Sequence, residues 1–213
     1  MFKLASWNVN SLKVRLDQVL QWLESSQVDV LAMQETKLMD DNFPATIFTD
    51  KGYQVIFSGQ KTYNGMAIVS RHPMTEIQTD IPEFEDPQRR ILAATIKGIR
   101  IINLYVPNGG ELSSEKYQYK LDWLKNVTLF IQHQLSTYPK MAVVGDFNIA
   151  PEDRDVHDPS EWWGLCWLAL LKEKPLEKSC SWVCMIVFVI LNKKKKHSAG
   201  GIIERLLLDE IEV

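Results

Sequence analysis

Short apolar runs separated by polar turns recur along the first 150 residues. They read KLASWNV, VDVLAMQ, YQVIFS, MAIVS, ILAATIK, IRIINLYV and MAVVGD. Runs of this length, bounded by Gly, Pro, Asn or Asp, predict strands. Two stretches switch to a helical period. Leu12, Leu16, Val19, Leu20 and Leu23 fall on one face after Ser11, a candidate N-cap, and Tyr117, Leu121, Leu124, Ile131 and Leu135 do the same after Ser113. The order strand, helix, strand, several short strands, helix, strand describes an α/β layered domain whose sheets mix hairpins with crossovers.

The pattern stops near Trp162. Residues 1–162 carry 16 Lys and Arg against 21 Asp and Glu, whereas residues 163–213 carry 8 against 6, so charge and periodicity change together. Cys166, Cys180 and Cys184 all lie after the break, with Trp163, Trp167 and Trp182. A boundary is therefore expected at 162. The tail reads as an unselected or fused segment, with a short helix over Ile203–Leu208 as its best element. Its apolar run from Ser179 to Leu191, followed by Lys193 to Lys196, covers roughly 20 Å as a helix, against a hydrocarbon core of about 30 Å. No membrane span is expected. Two thiols, Cys180 and Cys184, do not complete a tetrahedral zinc site.

Composition narrows the class further. A chain of 213 residues, 46% hydrophobic and 24% charged, is that of a globular protein, long enough to bury roughly 70% of its unfolded surface without disulfides. The net charge of -3 excludes a protein that coats nucleic acid by bulk electrostatics. It leaves room for a nuclease, whose acidic metal site lowers the total while a local basic face meets phosphate. The N-terminal MFKLASWNVNS does not have the apolar run of a signal peptide, so a cytoplasmic location is expected.

In α/β sheets the ligand site gathers at strand ends. Asn8 ends the first strand, Glu35 the second, Tyr105 lies near the end of IINLYVPNG, and Asp146 and Asn148 follow MAVV. Singly, each has an ordinary reading as a turn, cap or solvated strand end. As a set they suit a hard cation such as Mg²⁺, which takes carboxylate and amide oxygens and relies on one or two protein carboxylates.

The runs ASWNVNSLKVRL, QETKL, YNGMAIVSR, DPQRRILAA, NLYVPNGG and GDFNIAPEDRDVHDP resemble the exonuclease III family of DNA repair nucleases, within the endonuclease, exonuclease and phosphatase superfamily. The resemblance runs in order from Phe2 to about Trp162. It implies a four-layer α/β sandwich and a divalent-metal phosphodiesterase, using Mg²⁺ with Mn²⁺ as a substitute. The implied partner is double-stranded DNA, attacked at 3′ ends and abasic sites by a monomer. Carried over by residue, Glu35 is the principal metal ligand, and Asn8 contributes to the metal site and positions Asp146. Asp146 activates the attacking water or protonates the leaving oxygen, Asn148 holds a phosphate oxygen, and Tyr105 hydrogen-bonds the phosphate. Arg89 and Arg90, with Lys61 and Asn64 on a neighbouring loop, are the expected DNA contacts; the alternative for the arginines is a solvated pair beside Glu83, Glu85 and Asp86. His157 reads as structural and His72 and His133 as surface residues, while His197 follows four lysines with no acidic residue nearby.

Members of that family continue for roughly 100 further residues through a Ser-Asp-His element. GIIERLLLDEIEV does not match it, so an impaired fragment is the alternative expectation.

Overall fold

The computed structural model describes residues 2–112 and 114–149, together with the backbone of 203–208. The element order is β1 (Phe2–Asn8), α1 (Leu12–Ser26), β2 (Val30–Gln34), a 3₁₀ turn (Asp40–Asn42), α2 (Ala45–Thr49), β3 (Gln54–Ser58), β4 (Met66–Ser70), β5 (Met74–Gln78), β6 (Ile91–Ile96), β7 (Ile99–Tyr105), α3 (Glu115–Thr137), β8 (Met141–Asp146) and β9 (Ile203–Leu208). The described residues fall into two compact units. The first holds all nine strands with α1 and α2; the second holds most of α3 and the segments from Val106 and from Phe147.

In the first unit the strands form two sheets, ordered β3-β4-β2-β1-β9 and β5-β6-β7-β8. Their period of two divides each strand between two cores. Leu4, Val30, Ala32, Met66 and Ile68 of the first sheet meet Leu92, Ala94, Ile96, Ile101, Ala142 and Val144 of the second. The alternate residues Ala5, Trp7, Leu31, Met33, Ala67 and Val69 pack instead against Leu12, Val19 and Leu23 of α1 and Phe48 of α2. β2 and β4 are thus buried on both faces, which is why they are apolar up to their last residues, Gln34 and Ser70, rather than alternating. The mixed α/β architecture matches expectation.

Two local expectations need correction. Ile203–Leu208 is a strand, antiparallel to β1 from Phe2↔Leu208 to Trp7↔Ile203, because the open edge of β1 supplies backbone partners that an isolated helical stretch does not have. Ser11 precedes α1, but its side chain makes no cap; its N–H donates to the Glu35 carbonyl at 2.8 Å, and that of Leu12 to Thr36 at 3.0 Å. At the start of α3, Ser114 Oγ accepts from the Tyr117 N–H at 3.1 Å.

β5 was not legible, because Met74–Gln78 is largely exposed and without an apolar face. Ser113, the cysteines, Trp163, Trp167, Trp182, His157, His197 and the apolar run at 179–191 lie outside the described residues. Among the described residues no helix is long and apolar enough to cross a membrane.

Candidate active site

The site extends the inter-sheet face by one step. In β1 the residues facing the second sheet run Leu4, Ser6, Asn8; in β8 they run Ala142, Val144, Asp146. β1 and β2 are parallel, pairing Asn8 with Gln34, and β7 and β8 are parallel, pairing Tyr105 with Asp146. All four strands therefore deliver their carboxyl ends to one place.

Glu35 lies one residue beyond β2, where strict alternation would send it to the α1 side. A left-handed φ of 53° redirects it. Such a conformation costs a residue with a Cβ about 1 kcal/mol or more, and the surrounding backbone holds it there. Thr36 N–H donates to Gly65 O at 3.1 Å and Lys37 N–H to Asn64 O at 2.9 Å, while Glu35 and Thr36 carbonyls accept from the start of α1. Gly65 is required in this pairing, since a Cβ there would lie 2.3 Å from Thr36 Oγ1.

The side chains then close on one another. Asn8 Nδ2 donates to Glu35 Oε1 at 2.8 Å and to Asp146 Oδ2 at 2.7 Å. Tyr105 Oη donates to the same Glu35 oxygen at 2.9 Å. Lys37 Nζ lies 3.0 Å from Glu35 Oε2 and also donates to Asn10 Oδ1. Burial pushes the Glu35 carboxyl up, but hydrogen bonds from Asn8, Lys37 and Tyr105, with the Lys37 charge, outweigh it and leave the carboxyl below its ordinary value. For Tyr105, burial, the Glu35 charge and the bond to it all push the phenol up, well above its ordinary range. At neutral pH the pair is a carboxylate and a protonated phenol.

Lys37 was not singled out in the sequence, although it sits in the QETKL motif. Reading strand ends selects residues that terminate runs and passes over the next loop position.

Asn148 belongs to the second unit. Its backbone is left-handed at φ 48°, its Nδ2 donates to Val106 O at 2.9 Å, and its carbonyl accepts from the fully buried Lys120 ammonium at 2.6 Å.

The expected DNA-contacting residues divide by environment. Lys61 is exposed. Asn64 is buried, and its amide donates to Gln60 and Gln88. Arg89 pairs with Asp80 at 2.9 Å. Arg90 stacks its guanidinium 4.6 Å from the Tyr105 ring centroid and donates to Gln88 Oε1 and to the Tyr105 carbonyl. His133 is exposed, as expected. His72 is not a free surface group, because its Nε2 lies 2.7 Å from Asp29 Oδ1.

Among the described residues no three His, Cys, Asp or Glu side chains converge. Two carboxylates bridged by an amide are nonetheless the donor set that Mg²⁺ accepts, since it keeps several waters and takes few protein ligands.

The chain is similar to known proteins of DNA metabolism. It is 31% identical over 160 residues to exodeoxyribonuclease III of Haemophilus influenzae, an overlap of 72% of this chain and 60% of that protein. The chain thus spans about three fifths of the length of that curated relative. The solved structure of the 3′ phosphatase NExo from Neisseria bound to product DNA hairpin superposes with a TM-score of 0.80 at 39% identity, covering 89% of this chain and 71% of that one. An AP endonuclease from Archaeoglobus fulgidus gives 0.77 at 36% identity, with the same coverage. The family model reaches from residue 5 to residue 185, beyond the compositional break at 162. Matched over most of its length, the chain belongs to the endonuclease/exonuclease/phosphatase family.

Proposed function

We propose that this chain is a divalent-metal phosphodiesterase of DNA that removes nucleotides from 3′ ends and cuts the backbone at abasic sites. One observation carries the reading: the Asn8 amide spans Glu35 and Asp146 while Tyr105 holds the same Glu35 oxygen. Two carboxylates are thereby gathered at strand ends by neutral donors, which leaves room for an anionic substrate. Glu35 is the principal ligand for Mg²⁺ or Mn²⁺, with Asp146 and Asn8 beside it. Bound there, the ion stabilises negative charge developing on the phosphate.

The protein groups supply the rest. Asp146, oriented by Asn8, takes the proton of the attacking water or returns one to the leaving oxygen. The Tyr105 phenol has one proton, held by Glu35 in this structure, and a phosphate oxygen entering the site competes for it. Asn148 is given a phosphate oxygen through the family resemblance. Lys61 and Arg89 meet the DNA backbone; Asn64 holds the loop that carries Lys61, and Arg90 holds Tyr105. Residues 1–162 contain every residue given a role. The reading is of a monomer acting in the cytoplasm on double-stranded DNA.

The test is a gel assay on duplexes bearing one abasic site or a recessed 3′ end, with Mg²⁺, with Mn²⁺ and then with EDTA. Metal-dependent cleavage is expected. Binding without cleavage would reduce the chain to an impaired part of such an enzyme, and neither binding nor cleavage would sink the reading.

A further inference from the structure

The two halves of the site stand on different sheets. Asn8 and Glu35 end strands of the first, Tyr105 and Asp146 strands of the second. Both bonds that join the halves, Tyr105 to Glu35 at 2.9 Å and Asn8 to Asp146 at 2.7 Å, therefore depend on how one sheet is indexed against the other. The interface between the sheets is mostly aliphatic. Aliphatic contacts are non-directional and change little when one face slides by a fraction of an ångström. Something directional must set the register.

A buried pair of amides lies directly beneath the site. Gln34 is 1% exposed and Asn103 0%. Gln34 Nε2, on the first sheet, donates to Asn103 Oδ1, on the second, at 2.6 Å, and to Ser6 Oγ at 3.1 Å. Asn103 Nδ2 returns across the interface to the Met33 and Ala67 carbonyls at 3.0 and 3.2 Å. Asn103 precedes Tyr105 by two residues on the same face of β7, and Gln34 precedes Glu35 by one. Each amide is thus anchored next to the catalytic group on its own strand. Amides buried this completely are costly unless every partner is met, and an aliphatic pair would fill the space without that demand.

We propose that Asn103 and Gln34 are positioning residues that lock the register between the sheets and so set the reach of Tyr105 to Glu35 and of Asn8 to Asp146. The catalytic consequence rests on the phosphodiesterase reading above; the geometric one does not.

The test uses the full chain carrying ¹³C-labelled tyrosine, with the Tyr105 ring resonance assigned by Tyr105→Phe. Asn103→Leu should still melt cooperatively, yet its Tyr105 resonance should move in the same direction as in Glu35→Gln. On abasic duplex its kcat should fall about 10 to 100-fold while KM stays within about threefold, as expected for misplacement of reacting groups by up to about 1 Å. If Asn103→Leu does not fold, Gln34→Met is read in the same way, since it removes the 2.6 Å bond and leaves Asn103 its two carbonyl partners. An unmoved Tyr105 resonance in a folded variant overturns the proposal, as does a loss confined to KM. If the wild-type chain does not cleave DNA, that result bears on the phosphodiesterase reading as set out above, and the tyrosine resonance alone decides the positioning role.

Discussion

The phenol of Tyr105 donates to Oε1 of Glu35 at 2.9 Å, so the last residue of a strand in one sheet holds the carboxylate that follows a strand of the other. Neither group is set by its own strand alone. Glu35 needs a left-handed backbone to face Tyr105, and partial burial, then the charge of the carboxylate, push the phenol above its ordinary range.

Replacing Tyr105 with Phe removes one donor from that oxygen and from the substrate phosphate. Cleavage of abasic duplex should fall roughly 100-fold, the effect typical of losing one preorganised donor. Single-turnover kinetics at saturating DNA check it. In calorimetry Glu35→Ala should lose Mg²⁺ binding while Tyr105→Phe retains it; equal loss in both would give the phenol a part in holding the ion.

Asp146→Asn keeps the shape of the side chain and its place beside Asn8 but removes the proton acceptor. The rate should drop about 100-fold or more, with DNA affinity measured by fluorescence anisotropy unchanged within a few-fold. Full activity in this variant would move the proton-transfer role to another residue.

Gly145 precedes Asp146 with φ 146°, and a Cβ there would lie 1.9 Å from the Leu104 carbonyl oxygen. The obstacle is the backbone of β7 rather than a flexible side chain. Gly145→Ala should therefore cost about 2 to 3 kcal/mol, visible in urea unfolding, and should displace Asp146 from Asn8. A variant as stable as the wild type would show that β7 and β8 separate more easily than their pairing suggests.

Away from the site, Asp29 accepts from the Lys3 N–H and from the His72 ring, each at 2.7 Å. Burial pushes its carboxyl up, but the His72 and Lys3 hydrogen bonds and the nearby positive charges more than reverse this, leaving it below its ordinary value. A carboxyl depressed by folding stabilises the native state fully above its unfolded value of about 3.9, and that contribution is lost as pH falls through the folded one. The wild type should exceed Asp29→Asn in stability at about pH 6 and lose that advantage below about pH 3. Urea midpoints across this range check it. An advantage that grows on acidification would reverse the sign of the linkage.

Much of this was legible in the chain before it folded. The strands β1 to β4 and β6 to β8 are written in local apolar runs, and α1 and α3 in their faces, because burial on a strand or helix leaves a period of two or 3.6. Asn8, Glu35, Tyr105 and Asp146 could be named because they end apolar strands and, as a set though not singly, suit a hard cation. What the tertiary structure alone decided is who meets whom. β5 and β9 are strands through pairing with β6 and β1, and an edge partner leaves no periodic trace in the strand it recruits. Ser11 gives its backbone, not its hydroxyl, to the next element, and Arg90 holds Tyr105 through a ring contact that no spacing encodes. The amides of Gln34 and Asn103 stand 69 positions apart in sequence. Their pairing depends on two sheets facing each other in one register, and hydrogen-bond direction, unlike apolar burial, has no period along the chain.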